Sequence, residues 1–309
     1  MSCFSPRPVS AVPQPVVFEA LLHDAATDVR VTLDALLPQP EGPAAQLYEA
    51  MRYSALGPGK AFRAFLVLAS ATLCGADHQQ ALRVAAAVEA LHAYSLTHDD
   101  LPAMDDSDLR RGRAAAHKAF DEATAILAGD ALLTLAFEIL ADPATHPSSD
   151  VRAALTLGLA RASGAAGMVG GQMIDLLGED QPLTLAEITH LHALKTGALM
   201  TFSCVAGALL GKVDTQDYDA LKTYGDALGL LFQITDDLLD AEGDAETLGK
   251  PAGADAAAGK STFVSLLGVQ GARARATMVA TKARKALGRF GPEADGLRAA
   301  VGFLLERQS

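Results

Sequence analysis

Five carboxylates fall within the ten residues Asp99-Asp100-Leu101-Pro102-Ala103-Met104-Asp105-Asp106-Ser107-Asp108, and Arg110, Arg111 and Arg113 follow at once. A second acidic cluster, Asp236-Asp237-Leu238-Leu239-Asp240, closes another apolar run far down the chain. Asp236 and Asp240 stand at i and i+4, on one face of a helix, where like charges destabilise it. Two carboxylates on one face suit a hard cation such as Mg²⁺, which takes one or two carboxylates and fills its shell with water and substrate phosphate. A solvated helix end is the plainer reading of either cluster alone. Two clusters, each ending a long apolar helix, favour bound divalent cations. In the first cluster Pro102 breaks the register, and a turn after Asp100 is expected to bring Asp105 back beside Asp99.

Cations accompany the acids. Lys60 and Arg63 are expected one helical turn apart, just after the Gly57-Pro58-Gly59 turn. A helix start with exposed N–H groups and two cations makes an anion site. Lys195-Thr196, Lys250 and Lys260 add further cations and donors, each a plain surface residue if isolated. His92, Ser95 and Asp99 occupy one helix face at i, i+3 and i+7, although a lone His92 reads first as a core histidine. A rival uses Glu89–His92 and Glu187–His190, two E-x-x-H pairs of the kind that build a di-iron carboxylate bundle. It leaves both aspartate clusters and the Gly59-Lys60-x-x-Arg63 pattern without a role.

These residues must be carried by helices. Of the 309 residues, 50% are hydrophobic, with alanine and leucine dominant, and strand-forming blocks are scarce. The reading is all-α: a single large domain of about ten helices around a deep central cavity, over residues 16–309, preceded by a flexible Pro-rich tail at 1–15. Helices are expected over 16–37, from Pro43 to Gly57, 60–73, 79–98, 118–140, 151–177, 185–210 and 217–240, then a glycine-rich loop at 243–259 and a last helix pair. Gly164, Gly167, Gly170 and Gly171 suggest a kink or close backbone approach within 151–177. The net charge of -12 argues against a nucleic-acid partner. Cys3, Cys74 and Cys204 are too scattered for a zinc or disulfide framework. Without a basic n-region leading an apolar h-region, or an uncharged apolar run of membrane length, the expectation is a cytoplasmic protein with no stable membrane insertion.

In order along the chain, GPGKAFR, LHAYSLTHDDLPAMDDSDLRRG, GGQMIDL, LKTGAL, FQITDDLLD and LGKPAGADAAAGKST resemble the trans-prenyltransferases of the isoprenyl diphosphate synthase family, most of all bacterial farnesyl diphosphate synthases. The resemblance covers roughly residues 45–265. It implies an isoprenoid synthase fold, usually homodimeric, and Mg²⁺-dependent head-to-tail condensation of an allylic diphosphate (dimethylallyl or geranyl) with isopentenyl diphosphate. Farnesyl diphosphate and diphosphate would be the products. By the same resemblance Asp99 and Asp105, with Asp100 supporting, would bind two Mg²⁺. Asp236 would bind a third, with Asp240 in its outer shell. Arg110, Lys195 and Lys250 would contact the allylic diphosphate, and Gly59, Lys60, Arg63, His92 and Arg111 the isopentenyl diphosphate. Thr196 and Gln233, with the Lys195 carbonyl, would face the reacting carbons. Tyr94, beside Ser95 and five residues before Asp99, would close the cavity at a fifteen-carbon product. Ala61 and Ala64 stand where the family usually has a basic residue and a proline. The alternatives are a geranylgeranyl or geranyl diphosphate synthase, a silent partner subunit, which would have lost an aspartate cluster, and a terpene cyclase, which needs no Lys60/Arg63/His92 site.

Overall fold

Helix-forming runs build nearly everything in the computed structural model, which describes residues 15–178, 182–242 and 261–306. The helices are α1 (Pro15–Leu36), α2 (Ala45–Ala55), α3 (Phe62–Leu73), α4 (His78–Asp99), α5 (Ala116–Ala119), α6 (Glu122–Ala141), α7 (Ser149–Ser163), α8 (Met168–Gly178), α9 (Leu185–His192), α10 (Ala198–Gly211), α11 (Thr215–Glu242), α12 (Phe263–Ala286) and α13 (Asp295–Glu306). A two-stranded ribbon, β1 (Leu109–Arg110) and β2 (Arg113–Ala114), is the one sheet among the described residues. The all-α expectation holds. The tail at 1–14, the loop at 243–259 and Cys3 lie outside the described residues.

Helices α4 and α10 form the interior. In α4 the buried positions include Ala81, Ala85, Ala86, Ala87, Ala90 and Ala93, and these small side chains let α1, α3 and α6 pack closely around it. Asp77 caps α4 by accepting from the Gln80 N–H at 3.0 Å. Helix α10 is apolar on nearly all sides, as a fully enclosed helix must be. The 28-residue α11 packs between α10 and α12, and its buried Tyr224 donates to the Leu297 carbonyl of α13 at 2.7 Å.

Three expected helices are each interrupted in their regular α-helical course. The run 118–140 splits at Phe120, because Asp121 caps α6 by accepting from the Thr124 N–H at 2.8 Å. The glycine-rich run 151–177 stops at Ser163 and restarts at Met168. The run 185–210 is continuous but widens into a π-turn at Ala193–Gly197. The acidic cluster leads into the β1–β2 ribbon, unforeseen in the sequence. Arg111 and Gly112 form its turn with φ of 53° and 75°, the primed geometry that matches strand twist.

Two segments have the length and hydropathy of membrane spans, Glu122–Ala141 and Leu185–Gly211. The second is core. The first, α6, turns Ile126 and Leu127 outward at 43% and 57% exposure.

Candidate active site

The C-terminal ends of α4 and α11 and the π-turn before α10 carry most of the candidate site residues. The end of α4 and the π-turn border a cavity of about 550 Å³, whose lining includes Arg63, His92, Asp99, Gln172, Lys195 and Thr196, and α11 meets the π-turn through Gln233.

At the end of α4 the chain folds back on itself. The Asp105 N–H donates to the Asp99 carbonyl at 2.8 Å, and the Asp106 N–H to the Leu101 carbonyl at 3.1 Å. Asp105 thus returns to Asp99, as the turn after Asp100 requires. Desolvation raises the Asp99 carboxyl to about 6, with Lys195 opposing and Asp105 adding to the rise. Two carboxylates so placed fit a hard divalent cation. Among the described residues no three His, Cys, Asp or Glu side chains converge on one point, so a cation here would complete its shell with water or ligand oxygens.

Asp100 turns away from Asp99. It is 2% exposed and accepts from Arg110 Nε at 3.0 and 3.2 Å. The carboxylate therefore neutralises and orients Arg110 from beneath. In this arrangement Asp100 anchors the guanidinium.

The anion side is built by α3, α4 and the ribbon. Lys60 and Arg63 do not share a helical turn as expected, because Ala61 takes left-handed φ 47°, ψ 42° and α3 begins only at Phe62. The Lys60 ammonium lies 5.9 Å from the Phe303 ring centroid. Arg63 approaches His92, Nη1 to Nε2, at 3.3 Å. Glu89 accepts from the Ala64 N–H at 3.1 Å, which ties α4 to the start of α3. Arg111 donates to the Pro58 carbonyl at 2.7 Å, and its guanidinium lies so close over Gly59 that a Cβ there would come within 2.2 Å of it. Burial holds His92 well below its ordinary value, and Arg63, Arg111 and Arg110 push it further down. A neutral imidazole among cationic guanidiniums is an arrangement that an anionic ligand would stabilise.

The di-iron alternative fails on placement. Glu187 closes the capping box of α9 with Thr184 at the surface, and His190 is exposed, whereas Glu89 is committed to Ala64 inside.

Across the cavity, Thr196 Oγ1 donates to Gln233 Oε1 at 2.7 Å. Gln233, Asp236 and Asp240 sit at i, i+3 and i+7 of α11, so the face that touches Thr196 carries the second acidic pair onward. Asp237 points inward and accepts from the Phe263 N–H at 2.6 Å. Lys195 is paired with Asp175 of α8, Nζ to Oδ2, at 2.5 Å. Gly171 makes this approach possible, since a Cβ there would lie 2.3 Å from the Lys195 nitrogen. Lys250 and Lys260 lie outside the described residues.

The sequence motifs assigned no role to Asp175, Gln172 or His98, and Glu89 figured only in the di-iron rival. The first two belong to the GGQMIDL stretch, at i and i+3 on one face. The buried Gln172 Nε2 has no hydrogen-bond partner, and the residue lines the cavity.

Residues 44–289 match the family model described as polyprenyl synthetase. The chain belongs to the polyprenyl synthetase family. It is a prenyltransferase. It is 45% identical to a farnesyl diphosphate synthase of Geobacillus stearothermophilus over 82% of this chain and 86% of that one. A farnesyl diphosphate synthase of Haemophilus influenzae is 42% identical over 94% and 99%. The crystal structure of an apo FPP/GFPP synthase from Zymomonas mobilis superimposes with a TM-score of 0.86 at 45% identity, covering 94% of this chain and all of that one. The prenyltransferase thus has the isoprenoid synthase fold expected from its motifs, and its acidic loop, π-turn and cationic corner lie around one cavity.

Proposed function

We propose that this prenyltransferase condenses dimethylallyl or geranyl diphosphate with isopentenyl diphosphate and releases farnesyl diphosphate and diphosphate. The observation that supports the reading is the meeting, in one cavity, of Asp99, the Lys195–Thr196 π-turn and the Arg63–His92 pair, with Asp105 folded back to Asp99 through its backbone N–H and Arg111 bonded to the Pro58 carbonyl.

Asp99 and Asp105, together with Asp236 and Asp240, would hold Mg²⁺, about three per site by family resemblance. Bound there, Mg²⁺ supplies Lewis-acid stabilisation of the charge developing on the leaving diphosphate. Arg110, held by Asp100, and Lys195, held by Asp175, position cations for that diphosphate. Arg111, Arg63, Lys60 and His92, with the close backbone of Gly59, hold the second diphosphate. The allylic C–O bond breaks with its electron pair leaving on oxygen. The isopentenyl double bond then forms the new C–C bond, and a proton leaves the adjacent carbon. The departed diphosphate is the base available for it, so no side chain is assigned as general base. The Thr196 and Gln233 oxygens and the Lys195 carbonyl present negative dipoles to the cationic carbons. Apolar wall residues such as Leu101, Met104 and Met168 exclude water that would trap the cation.

Tyr94 and Ser95 lie deeper along α4 than Asp99, so product length is read from the floor they form. A geranylgeranyl or geranyl diphosphate product is the second reading, distinguished by measuring product length by mass spectrometry after incubation with Mg²⁺, dimethylallyl diphosphate and isopentenyl diphosphate. The outward Ile126 and Leu127 of α6 support assembly with a second copy, and a cytoplasmic homodimer completes the proposal. Arg63→Gln tests the corner assignment: the KM for isopentenyl diphosphate should rise at least about tenfold, the cost of one charge-assisted hydrogen bond, while the KM for the allylic substrate changes little. The reverse pattern would contradict the assignment.

A further inference from the structure

The cavity floor is not made by Tyr94 alone. Its ring meets the His98 ring edge to face, with centroids 5.1 Å apart and planes at 80°. Tyr94 and His98 are i and i+4, one above the other on α4, and both line the cavity. His98 is held from the other side by α6. Its Nε2 lies 3.0 Å from the Ile126 carbonyl oxygen, to which the imidazole donates, and 4.0 Å from Asp130 Oδ1. The ring fills a notch that exists because residue 129 is glycine. A Cβ there would stand 2.1 Å from Nε2 and 2.3 Å from Cδ2, contacts that a stiff ring must relieve by moving away from α6.

Tyr94 is only half-buried. A side chain in that setting can turn about χ1 and χ2 unless a neighbour fixes it. His98 is that neighbour, itself fixed by a backbone carbonyl and a close-packed notch on a second helix.

We propose that His98, docked in the Gly129 notch and bonded to the Ile126 carbonyl, is a positioning residue for product length: it braces Tyr94 and so sets how deep the cavity is. The inference rests on Tyr94 being the floor of a prenyl-elongating cavity. It gives opposite signs to two neighbouring substitutions. Removing the brace (His98→Ala) lets the Tyr94 ring swing into the vacated space, deepens the cavity and lengthens the product. Filling the notch (Gly129→Ala) drives the imidazole towards Tyr94, raises the floor and shortens it. General damage to the fold would not move the two in opposite directions.

The experiment uses the full-length enzyme with Mg²⁺, dimethylallyl diphosphate and excess isopentenyl diphosphate. The ten-, fifteen- and twenty-carbon products are quantified by mass spectrometry for the wild type, Tyr94→Ala, His98→Ala, His98→Gln, Gly129→Ala and the double variant Tyr94→Ala/His98→Ala. His98→Ala should raise the C20:C15 ratio about two- to tenfold, the range set by losing one edge-to-face ring pair. His98→Gln, which keeps a donor for Ile126 but offers no ring, should fall between it and the wild type. Gly129→Ala should raise the C10:C15 ratio, and the double variant should match Tyr94→Ala alone. If Tyr94→Ala lengthens the product while His98→Ala and Gly129→Ala keep the wild-type ratio, the brace is overturned and the Tyr94 floor survives. A double variant shifted beyond Tyr94→Ala also overturns it, since His98 would then act independently of Tyr94. A wild-type profile for Tyr94→Ala removes the floor and the brace together. Should His98→Ala fail to fold, His98→Gln and Gly129→Ala carry the same two signs.

Discussion

Asp99 pays for its place at the cavity mouth with an unfavourable charge. Its carboxyl is raised from 3.8 to about 6, first by desolvation and then by Asp105, against the pull of Lys195. A carboxyl raised in the fold costs no stability below pH ~4, where both states are protonated, and costs most above pH ~6, by at most about 3 kcal/mol. Asp99→Asn should therefore raise the thermal midpoint of the metal-free protein at pH 7.5, with no gain at pH 4, while activity falls at least about a hundredfold. Calorimetry at the two pH values with a parallel activity assay checks both halves. In the wild type, turnover at limiting Mg²⁺ should drop on the acid side with an apparent pKa near 6. Saturating Mg²⁺ should move that limb to lower pH, because the cation competes with the proton. The acidic loop was legible because five carboxylates in ten residues have few stable explanations. Asp175 was not, because its partner Lys195 lies 20 positions away and one aspartate on a helix announces nothing. The Asp100–Arg110 pairing was hidden for a related reason: adjacent aspartates look equivalent in sequence, yet successive helical residues point about 100° apart, and Asp100 faces Arg110 while Asp99 faces the cavity.

At the scale of elements, apolar periodicity placed the long helices α4, α10 and α11 and left their interruptions unseen. The break at Phe120 is fixed by the Asp121 carboxylate, which accepts from both the N–H and the hydroxyl of Thr124. The left-handed Ala61 carries no residue-type signal, since alanine ordinarily favours a helix. The π-turn at Ala193–Gly197 is a tertiary result, pressed between Gly171 of α8 and Gly229 of α11. A single widened turn of this kind changes which carbonyls and side chains face a site without breaking the helix. Gly171→Ala tests its importance. The added methyl meets backbone, which cannot rotate away, so unfolding should cost about 1–3 kcal/mol less. Turnover should fall further than binding, because Lys195 and Thr196 are displaced together. Denaturant titration and a kcat-against-KM comparison separate the two effects, and an unchanged kcat in a destabilised variant would show that the turn is only structural.

For the whole molecule, two surfaces of α6 do different work in this account. Its inner face gives the Gly129 notch that steadies the cavity floor. Its outer face presents Ile126 and Leu127, and Leu127→Glu should convert a dimer into a monomer by light scattering if a second copy covers that face. The all-α architecture was legible from composition and periodicity, while the ribbon that carries Arg110 and Arg111 was not, its strands being two residues each. The central claim is prenyl elongation to fifteen carbons in a cavity bounded by Asp99, Lys195 and Tyr94. It is tested most directly by incubating the purified protein with Mg²⁺, dimethylallyl diphosphate and isopentenyl diphosphate and measuring product length by mass spectrometry. Farnesyl diphosphate is expected as the main product, lost on chelation of Mg²⁺. No diphosphate release with any allylic primer, or an undiminished reaction after chelation, would contradict it.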